Sequence, residues 1–197
     1  MNLKKRLFKN QENVLFFKRL LNNPKALGAI VPSSKALTAM IAKQVCLKSS
    51  AYVVEVGAGT GRFTRGLLEA GLSPDRLFVV ELDLELCAYL RLHFPTIHVI
   101  QGDATKLDDL LPEGVALNVE TIISGIPLVN LNNEEQSNLI AAFKRILNPD
   151  GKIIQFTYSP VSPLPHIQFG LCAKRLGRVF RNLPPATVWS YKFAVDS

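Results

Sequence analysis

The chain has 197 residues, 48% of them hydrophobic, which suits one domain with a full core and excludes a disordered or fibrous protein. Its three widely spaced cysteines fit neither a zinc motif nor a disulfide framework, and they indicate a reducing, cytoplasmic environment. The formal net charge of +7 divides into +9 over residues 1–48, −7 over 49–151 and +5 over 152–197. Basic ends of this kind predict a polyanionic partner, either nucleic acid or an anionic membrane.

Residues 1–24 predict a basic amphipathic helix. Lysines and arginines are interleaved with an apolar stripe at helical spacing, formed by Leu3, Leu7, Val14, Phe17 and Leu21. Such a helix can lie in the headgroup plane of anionic lipids, which would place the protein on the inner face of the cytoplasmic membrane. The alternative is a surface helix that packs its stripe on the domain. We expect deletion of residues 2–21 to abolish vesicle binding.

Residues 25–197 predict a single α/β domain. Ser33 or Ser34 is a candidate cap for a helix running to about Val45. Helices are then predicted at 63–70, 84–94 and 132–147 and strands at 51–57, 77–83, 98–104, 120–128 and 152–158, with a turn at 148–151. A closing hairpin is predicted from 172–181 and 187–193. This alternation predicts a Rossmann-like, mostly parallel seven-stranded sheet with helices on both faces and one antiparallel strand.

The stretch EVGAGTGRF (55–63) joins the first strand to its helix. Its glycines follow a G-x-G-x-G spacing, and Arg62 stands where a dinucleotide fingerprint needs a small residue. Glu81 ends the second strand, where an acid can bind ribose hydroxyls, and Asp103 ends the third, where a carboxylate can accept from an adenine amino group. Glu55 can attract a sulfonium or an amino group. Together these residues indicate S-adenosylmethionine, a nucleoside with a positive sulfur and no phosphate.

At these residues the chain resembles the class I S-adenosylmethionine-dependent methyltransferases. The resemblance covers 51–160 and implies binding of S-adenosyl-L-methionine, with S-adenosyl-L-homocysteine as product and no metal. The implied cofactor residues are Glu55, Gly57, Gly59, Gly61, Glu81, Leu82, Asp103, Ala104 and Ser124.

The stretches GRFT (61–64), VELD (80–83) and GDA (102–104) are similar to those of ribosomal-RNA adenine dimethylases. Those enzymes have a corner with an amide and an aromatic for the flipped base, whereas this chain has Gly125, Ile126, Pro127 and Leu128. Four other stretches resemble the bacterial phospholipid N-methyltransferases, namely NPKALGAIVPSS (23–34), SGIPL (124–128), QFTYSP (155–160) and RNLPPATVW (181–189). That resemblance implies a soluble catalytic domain, held on the membrane by its N-terminal helix, that methylates phosphatidylethanolamine toward phosphatidylcholine.

Gly125, Ile126 and Pro127 are predicted to lie beside the transferred methyl, with Leu128 as an apolar wall. Tyr158, with Trp189 or Tyr191, is a candidate for holding a methylammonium through its π face. Arg181 is a candidate for the lipid phosphate, and the candidates for closing over the cofactor are Ser33 and Ser34.

Three alternatives remain open at this point. They are an ornithine-lipid methyltransferase, an RNA methyltransferase that uses the basic ends on phosphates, and a membrane-peripheral protein that binds the cofactor without catalysis. No obligate protein partner is evident from the sequence.

Overall fold

The computed structural model describes residues 30–180 and 184–194. Most of the predicted domain, 25–197, lies in these ranges, and the predicted N-terminal helix (1–24) lies outside them. The helices are α1 (Ile30–Ala42), α2 (Arg62–Glu69), α3 (Leu84–His93), α4 (Leu107–Leu110) and α5 (Asn133–Ile146). The strands are β1 (Tyr52–Val56), β2 (Leu77–Glu81), β3 (His98–Gln101), β4 (Val119–Ser124), β5 (Leu147–Thr157), β6 (Leu171–Val179) and β7 (Ala186–Phe193).

The strands form one seven-stranded sheet with the order β3-β2-β1-β4-β5-β7-β6. The first five strands are parallel, and β7 is antiparallel to both β5 and β6. The predicted Rossmann-like sheet with one antiparallel strand is therefore confirmed. Since β7 runs opposite to both of its neighbours, β6 points in the same direction as β1 to β5 and ends at the same edge.

Helices cover both faces of the sheet because its central strands are apolar on both sides. One core joins side chains of α1, α2 and α3 to the sheet, among them Leu37, Leu67 and Leu90. The other core joins α4 and α5 to the opposite face, among them Leu107 and Phe143. Among the described residues, no helix has the length and apolar character needed to cross a membrane.

Local sequence signals explain the starts of α3 and α5. Asp83 caps α3 by accepting from the backbone N–H groups of Glu85 and Leu86. Asn132 and Glu135 form a capping box at the start of α5.

Two local predictions are corrected. Helix α1 begins at Ile30, upstream of Ser33 and Ser34, so neither serine can be its N-cap. Residues 148–151, predicted as a turn after the last helix, lie within β5. They bulge out of the hydrogen-bonded ladder between β4 and β5, because Leu147 pairs with Val119 and the next pair is Lys152 with Thr121.

Arg76 anchors the edge of the sheet at which β1 begins. Its buried guanidinium donates to the backbone carbonyls of Ala51, Leu47 and Cys46 and pairs with Glu120 at 3.2 Å. These contacts fix the segment between α1 and β1 against the β2 side of the sheet. They hold in place the strand that leads to the glycine loop.

Candidate cofactor and acceptor site

The glycine loop leaves the end of β1 and enters α2. Gly57, Gly59 and Gly61 have φ angles of 67°, 58° and 73°, in the left-handed region that other residues rarely adopt. A Cβ on Gly61 would lie 2.4 Å from the ring of Phe94, so a larger residue there would have no room. This geometry accounts for the glycine spacing and opens the loop at the carboxyl edge of the sheet, where such folds bind ligands.

Glu81 is held by the glycine loop. Its Oε2 accepts from the backbone N–H of Gly59 at 2.8 Å, and its Oε1 accepts from that of Asp83 at 3.1 Å. Each carboxylate oxygen keeps a further acceptor position, because a carboxylate offers about four lone-pair sites. The carboxylate is therefore fixed at the end of β2 and can still accept from two ribose hydroxyls.

Glu55 differs sharply from Glu81, because it is fully buried under α2. Its Oε2 accepts from the Thr64 hydroxyl at 2.6 Å, and its Oε1 has no protein partner. Burial raises the pKa of Glu55 to about 8, with the charge of Glu81 adding to the effect and the Thr64 bond opposing it. The side chain therefore holds a proton at neutral pH, and its contact with a sulfonium or amino group stays a prediction.

The rest of the predicted nucleoside surface is formed by Leu82, Asp103 and Ala104. Leu82 is exposed beside Glu81 and offers apolar area to a planar ring. The exposed Asp103 accepts from the backbone N–H of Thr105 and caps a single turn that begins at Ala104. These residues follow two neighbouring parallel strands, so they meet at one edge, as the sequence predicted. Their fit to a nucleoside rests on this placement and on the fixed carboxylate of Glu81.

The acceptor corner (Gly125–Pro127) follows β4 and lies against the glycine loop. A Cβ on Gly125 would lie 2.4 Å from the Gly57 carbonyl oxygen, and a Cβ on Gly57 would lie 3.0 Å from Ile126. The two turns therefore touch through backbone that only glycine allows. The Ile126 carbonyl accepts from Gln155 Nε2 at 3.0 Å, which fixes the orientation of the corner.

Two side chains of this region are buried. Leu128, predicted as an apolar wall for the acceptor, is buried in the core beneath α5, because Pro127 leads into a tight turn that rotates it inward. Ser124 is also fully buried, and its Oγ has no protein partner. Ser124 can thus meet a cofactor only through its backbone.

Tyr158 is partly exposed just after β5, and its ring contacts that of Phe156. Burial raises the pKa of Tyr158, and the Arg62 charge opposes that rise, so its side chain is a neutral phenol at physiological pH. It is placed to hydrogen-bond or to present a π face at the carboxyl edge of the sheet.

The predicted aromatic partners of Tyr158 are not placed to help it. Tyr191 is fully buried and its hydroxyl bonds to Ser162 at 2.8 Å. Trp189 pairs with Gln155, an odd number of residues from Tyr158 along β5. Because side chains alternate across a strand, Trp189 lies on the opposite face of the sheet from Tyr158. The prediction that Trp189 or Tyr191 joins Tyr158 around a methylammonium is therefore wrong.

Arg181 lies outside the described residues, and Ser33 and Ser34 lie within α1, so their predicted contacts with lipid and cofactor remain predictions. Within the described ranges, no group of three or more His, Cys, Asp or Glu side chains could hold a metal ion.

The sequence analysis did not identify two polar side chains that support the site. Gln155 holds the acceptor corner, and Thr64 bonds to Glu55. The signal for Gln155 was a single amide inside the otherwise apolar start of KIIQFTY. For Thr64 the signal was a small hydroxyl residue in the first turn after the glycine loop.

Comparison with known proteins agrees with this geometry. Over 181 residues the chain is 27% identical to an ornithine lipid N-methyltransferase from Singulisphaera acidiphila, covering 87% of this chain and 91% of that protein. It is 34% identical over 119 residues to ribosomal RNA small subunit methyltransferase A of Thermosynechococcus vestitus, covering 58% of this chain and 43% of that protein.

Among solved structures, the fold is similar to that of Burkholderia thailandensis 1,6-didemethyltoxoflavin-N1-methyltransferase, which was solved with S-adenosylhomocysteine. The TM-score is 0.66 at 14% identity, over 96% of this chain and 90% of that one. The model of the methyltransferase domain family matches residues 53–151, about half of the chain, from β1 into the bulge of β5. The chain therefore belongs to the class I S-adenosylmethionine-dependent methyltransferases.

Proposed function

We propose that this protein transfers methyl groups from S-adenosylmethionine to the amine headgroup of a membrane amino-lipid. The observation that carries this proposal is the match to an ornithine lipid N-methyltransferase along nearly the whole of both chains. The stretches that resemble the phospholipid N-methyltransferases favour phosphatidylethanolamine, and the relative favours an ornithine lipid. Both lipids present a primary amine on an acyl-bearing molecule, and the same corner can receive either.

The acceptor corner suits a small amine. Gly125 packs on the glycine loop, so the corner is as close to the cofactor loop as backbone allows. Its residues offer backbone carbonyl groups and no bulky polar side chain. An amine on a flexible headgroup can enter such a corner without a stacking partner, which supports a lipid acceptor.

The reaction forms a nitrogen–carbon bond and breaks the sulfur–carbon bond of the donor. The cofactor supplies the electrophilic methyl group, and alignment of the amine with it provides most of the rate. A primary amine resembles Lys, with a pKa of about 10.4, and must lose its proton before attack. Because the Tyr158 phenol is neutral and its pKa is raised, it cannot take that proton as a phenolate at neutral pH. Its part is to contact the headgroup or the methylated nitrogen through its hydroxyl or ring.

A ribosomal-RNA adenine acceptor is the second candidate, because the match to ribosomal RNA small subunit methyltransferase A reaches 34% identity. That match spans less than half of the relative. Leu128, at the position where the dimethylases have an aromatic, is 1% exposed in the core and cannot stack on a base. Both observations favour the lipid acceptor.

The membrane role of residues 1–24 belongs to this proposal. A basic amphipathic helix would hold the domain on anionic lipids of the inner leaflet, with each Lys or Arg near the surface contributing about 1 kcal/mol. If the acceptor is phosphatidylethanolamine, Arg181 would then meet its phosphate. The deletion of residues 2–21 tests this anchoring, and unchanged binding to anionic vesicles would contradict it.

The acceptor is identified by incubating the protein and S-adenosylmethionine with vesicles that carry phosphatidylethanolamine or ornithine lipid, followed by mass spectrometry of the extracted lipid. We expect methylated species from at least one of the two lipids. Glu81→Ala should abolish them, and Glu69→Ala, which removes an exposed carboxylate at the end of α2, should not. Absence of methylation on both lipids would contradict the proposed function.

A further inference from the structure

Four large apolar side chains are exposed in the segments that follow β4, β5 and β6. They are Val129 at 60%, Tyr158 at 43%, Val161 at 67% and Phe180 at 75%. Val129 follows β4, Tyr158 and Val161 follow β5, and Phe180 follows β6. Because these three strands point in one direction, the segments that carry the four residues all leave the sheet at its carboxyl edge. We call them the acceptor rim.

Two arginines lie beside rim residues. The Arg178 guanidinium lies 5.5 Å from the ring centre of Phe180, and Arg62 lies close enough to Tyr158 to influence its ionisation. The sequence has no Asp or Glu between residues 151 and 195, the part of the chain that supplies most of β5 and all of β6 and β7.

The acids of the carboxyl edge follow β2, β3 and β4, because Glu134 and Glu135 lie in the first turn of α5, close after Val129. Asp83, Glu85 and Asp103 follow β2 and β3, on the side of the predicted nucleoside surface. The part of the edge formed by β5, β7 and β6 is therefore free of Asp and Glu, and it carries Arg178 and three of the four rim residues.

Exposed aromatic and aliphatic side chains among arginines are typical of surfaces that rest at a lipid–water interface. Apolar groups enter the boundary between headgroups and acyl chains, and the guanidinium groups pair with anionic headgroups. A nucleic acid would use the aromatic rings for stacking, but it would gain little from the aliphatic Val129 and Val161. The composition of the rim thus favours a membrane over RNA.

We propose that the acceptor rim seats the domain on an anionic phospholipid bilayer with its methyl-transfer corner facing the headgroups. This inference rests on the proposed function, since a lipid acceptor keeps its acyl chains in the bilayer while its amine enters the site. In this arrangement the predicted N-terminal helix supplies affinity, and the rim supplies orientation. The headgroup amine reaches the Gly125–Pro127 corner without extraction of the lipid.

The chain has a single tryptophan, Trp189, which allows a direct test. In a full-length Trp189→Phe background, Phe180→Trp places the reporter on the rim. A matched control, Ile167→Trp, places it on a residue that is 83% exposed and lies four positions before the start of β6, at the other end of that strand. We expect vesicles of anionic phospholipid with brominated acyl chains to quench the reporter at 180 and to leave the reporter at 167 unquenched.

A second experiment separates orientation from folding. Combined Phe180→Ser and Val161→Ser substitutions should lower methylation of vesicle-borne amino-lipid about tenfold or more, since two apolar side chains no longer enter the interface. The same protein should methylate a short-chain amino-lipid, dispersed below its micelle concentration, within about twofold of wild type. Ile167→Ser should change neither rate.

Equal quenching at both reporter positions, or at neither, would overturn the inference. So would equal losses on vesicle-borne and dispersed lipid. Quenching of the 180 reporter by an RNA oligonucleotide, with none by brominated vesicles, would assign the rim to RNA and reject the membrane. If vesicles quench the reporter at 180 but not the one at 167, and no amino-lipid is methylated, the membrane role of the rim is supported and the proposed function is contradicted. Failure of the rim proposal and failure of the proposed function therefore give different results.

Discussion

The buried carboxyl group of Glu55 makes the stability of this domain depend on pH in a way that one substitution should remove. Glu55 is fully buried, and its pKa rises from an ordinary value of 4.5 to about 8. Between these values the folded protein keeps a proton that the unfolded chain has lost. The contribution of this group to stability is therefore greatest below 4.5, falls as pH rises toward 8, and does not change further above that range.

The magnitude follows from proton linkage. Between pH 4.5 and about 8 the folded state binds one proton more than the unfolded state. The free energy of unfolding therefore falls by about 1.4 kcal/mol for each unit that the pH rises. Glu55→Gln keeps the shape of the side chain and an acceptor for the Thr64 hydroxyl but cannot ionise. The variant should match wild type near about pH 5 and exceed it by a few kcal/mol near about pH 8.

Urea unfolding of both proteins, monitored by far-UV circular dichroism at several pH values, measures this difference. Every other titrating group is common to the two proteins, so the difference between their unfolding free energies isolates Glu55. Parallel pH profiles for wild type and Glu55→Gln would contradict this expectation and would mean that the carboxyl group is ionised in the folded state.

Three further substitutions test the packing of the site and its support. Arg76→Met should lower the free energy of unfolding by about 3 kcal/mol, because it leaves buried carbonyls and a carboxylate unpaired. Arg145→Met, which removes an exposed ion pair, should change that free energy little, and urea titrations of both variants test the difference. Leu128→Tyr should cost about 1–3 kcal/mol by overfilling the core and should create no methylation of RNA, as measured by labelled methyl transfer. Gly125→Ala should abolish S-adenosylmethionine binding, as measured by calorimetry, because the added Cβ would collide with the backbone of the glycine loop. In Gly177→Ala the added Cβ meets only the flexible end of Met40, so this control variant should bind the cofactor normally.

The order of the elements and the position of the cofactor site could be predicted because each depends on local sequence. The glycines of the loop take up left-handed backbone angles, and Glu81 and Asp103 follow strands whose apolar patterns are clear. In a parallel sheet the strand ends meet at one edge, so the order of strands and helices is enough to bring together residues that are far apart in sequence.

The side chains around the acceptor corner could not be predicted in the same way. Leu128 turns into the core because the backbone after Pro127 forms a tight turn, and Tyr191 is buried because loop residue Ser162 covers its hydroxyl. Gln155 supports the corner through a bond that joins two neighbouring strands. The placements of Tyr191 and Gln155 depend on contacts between distant segments, and that of Leu128 depends on the direction of a turn; hydrophobic periodicity encodes neither.

A single competition experiment decides between a lipid amine and an RNA base as the methyl acceptor. Full-length protein, S-adenosylmethionine with a labelled methyl group, amino-lipid vesicles and ribosomal RNA are incubated together, and label is counted in the chloroform-extractable lipid and in the RNA. We expect label in the lipid, absent with Glu81→Ala. Label in the RNA alone would contradict the proposed lipid acceptor.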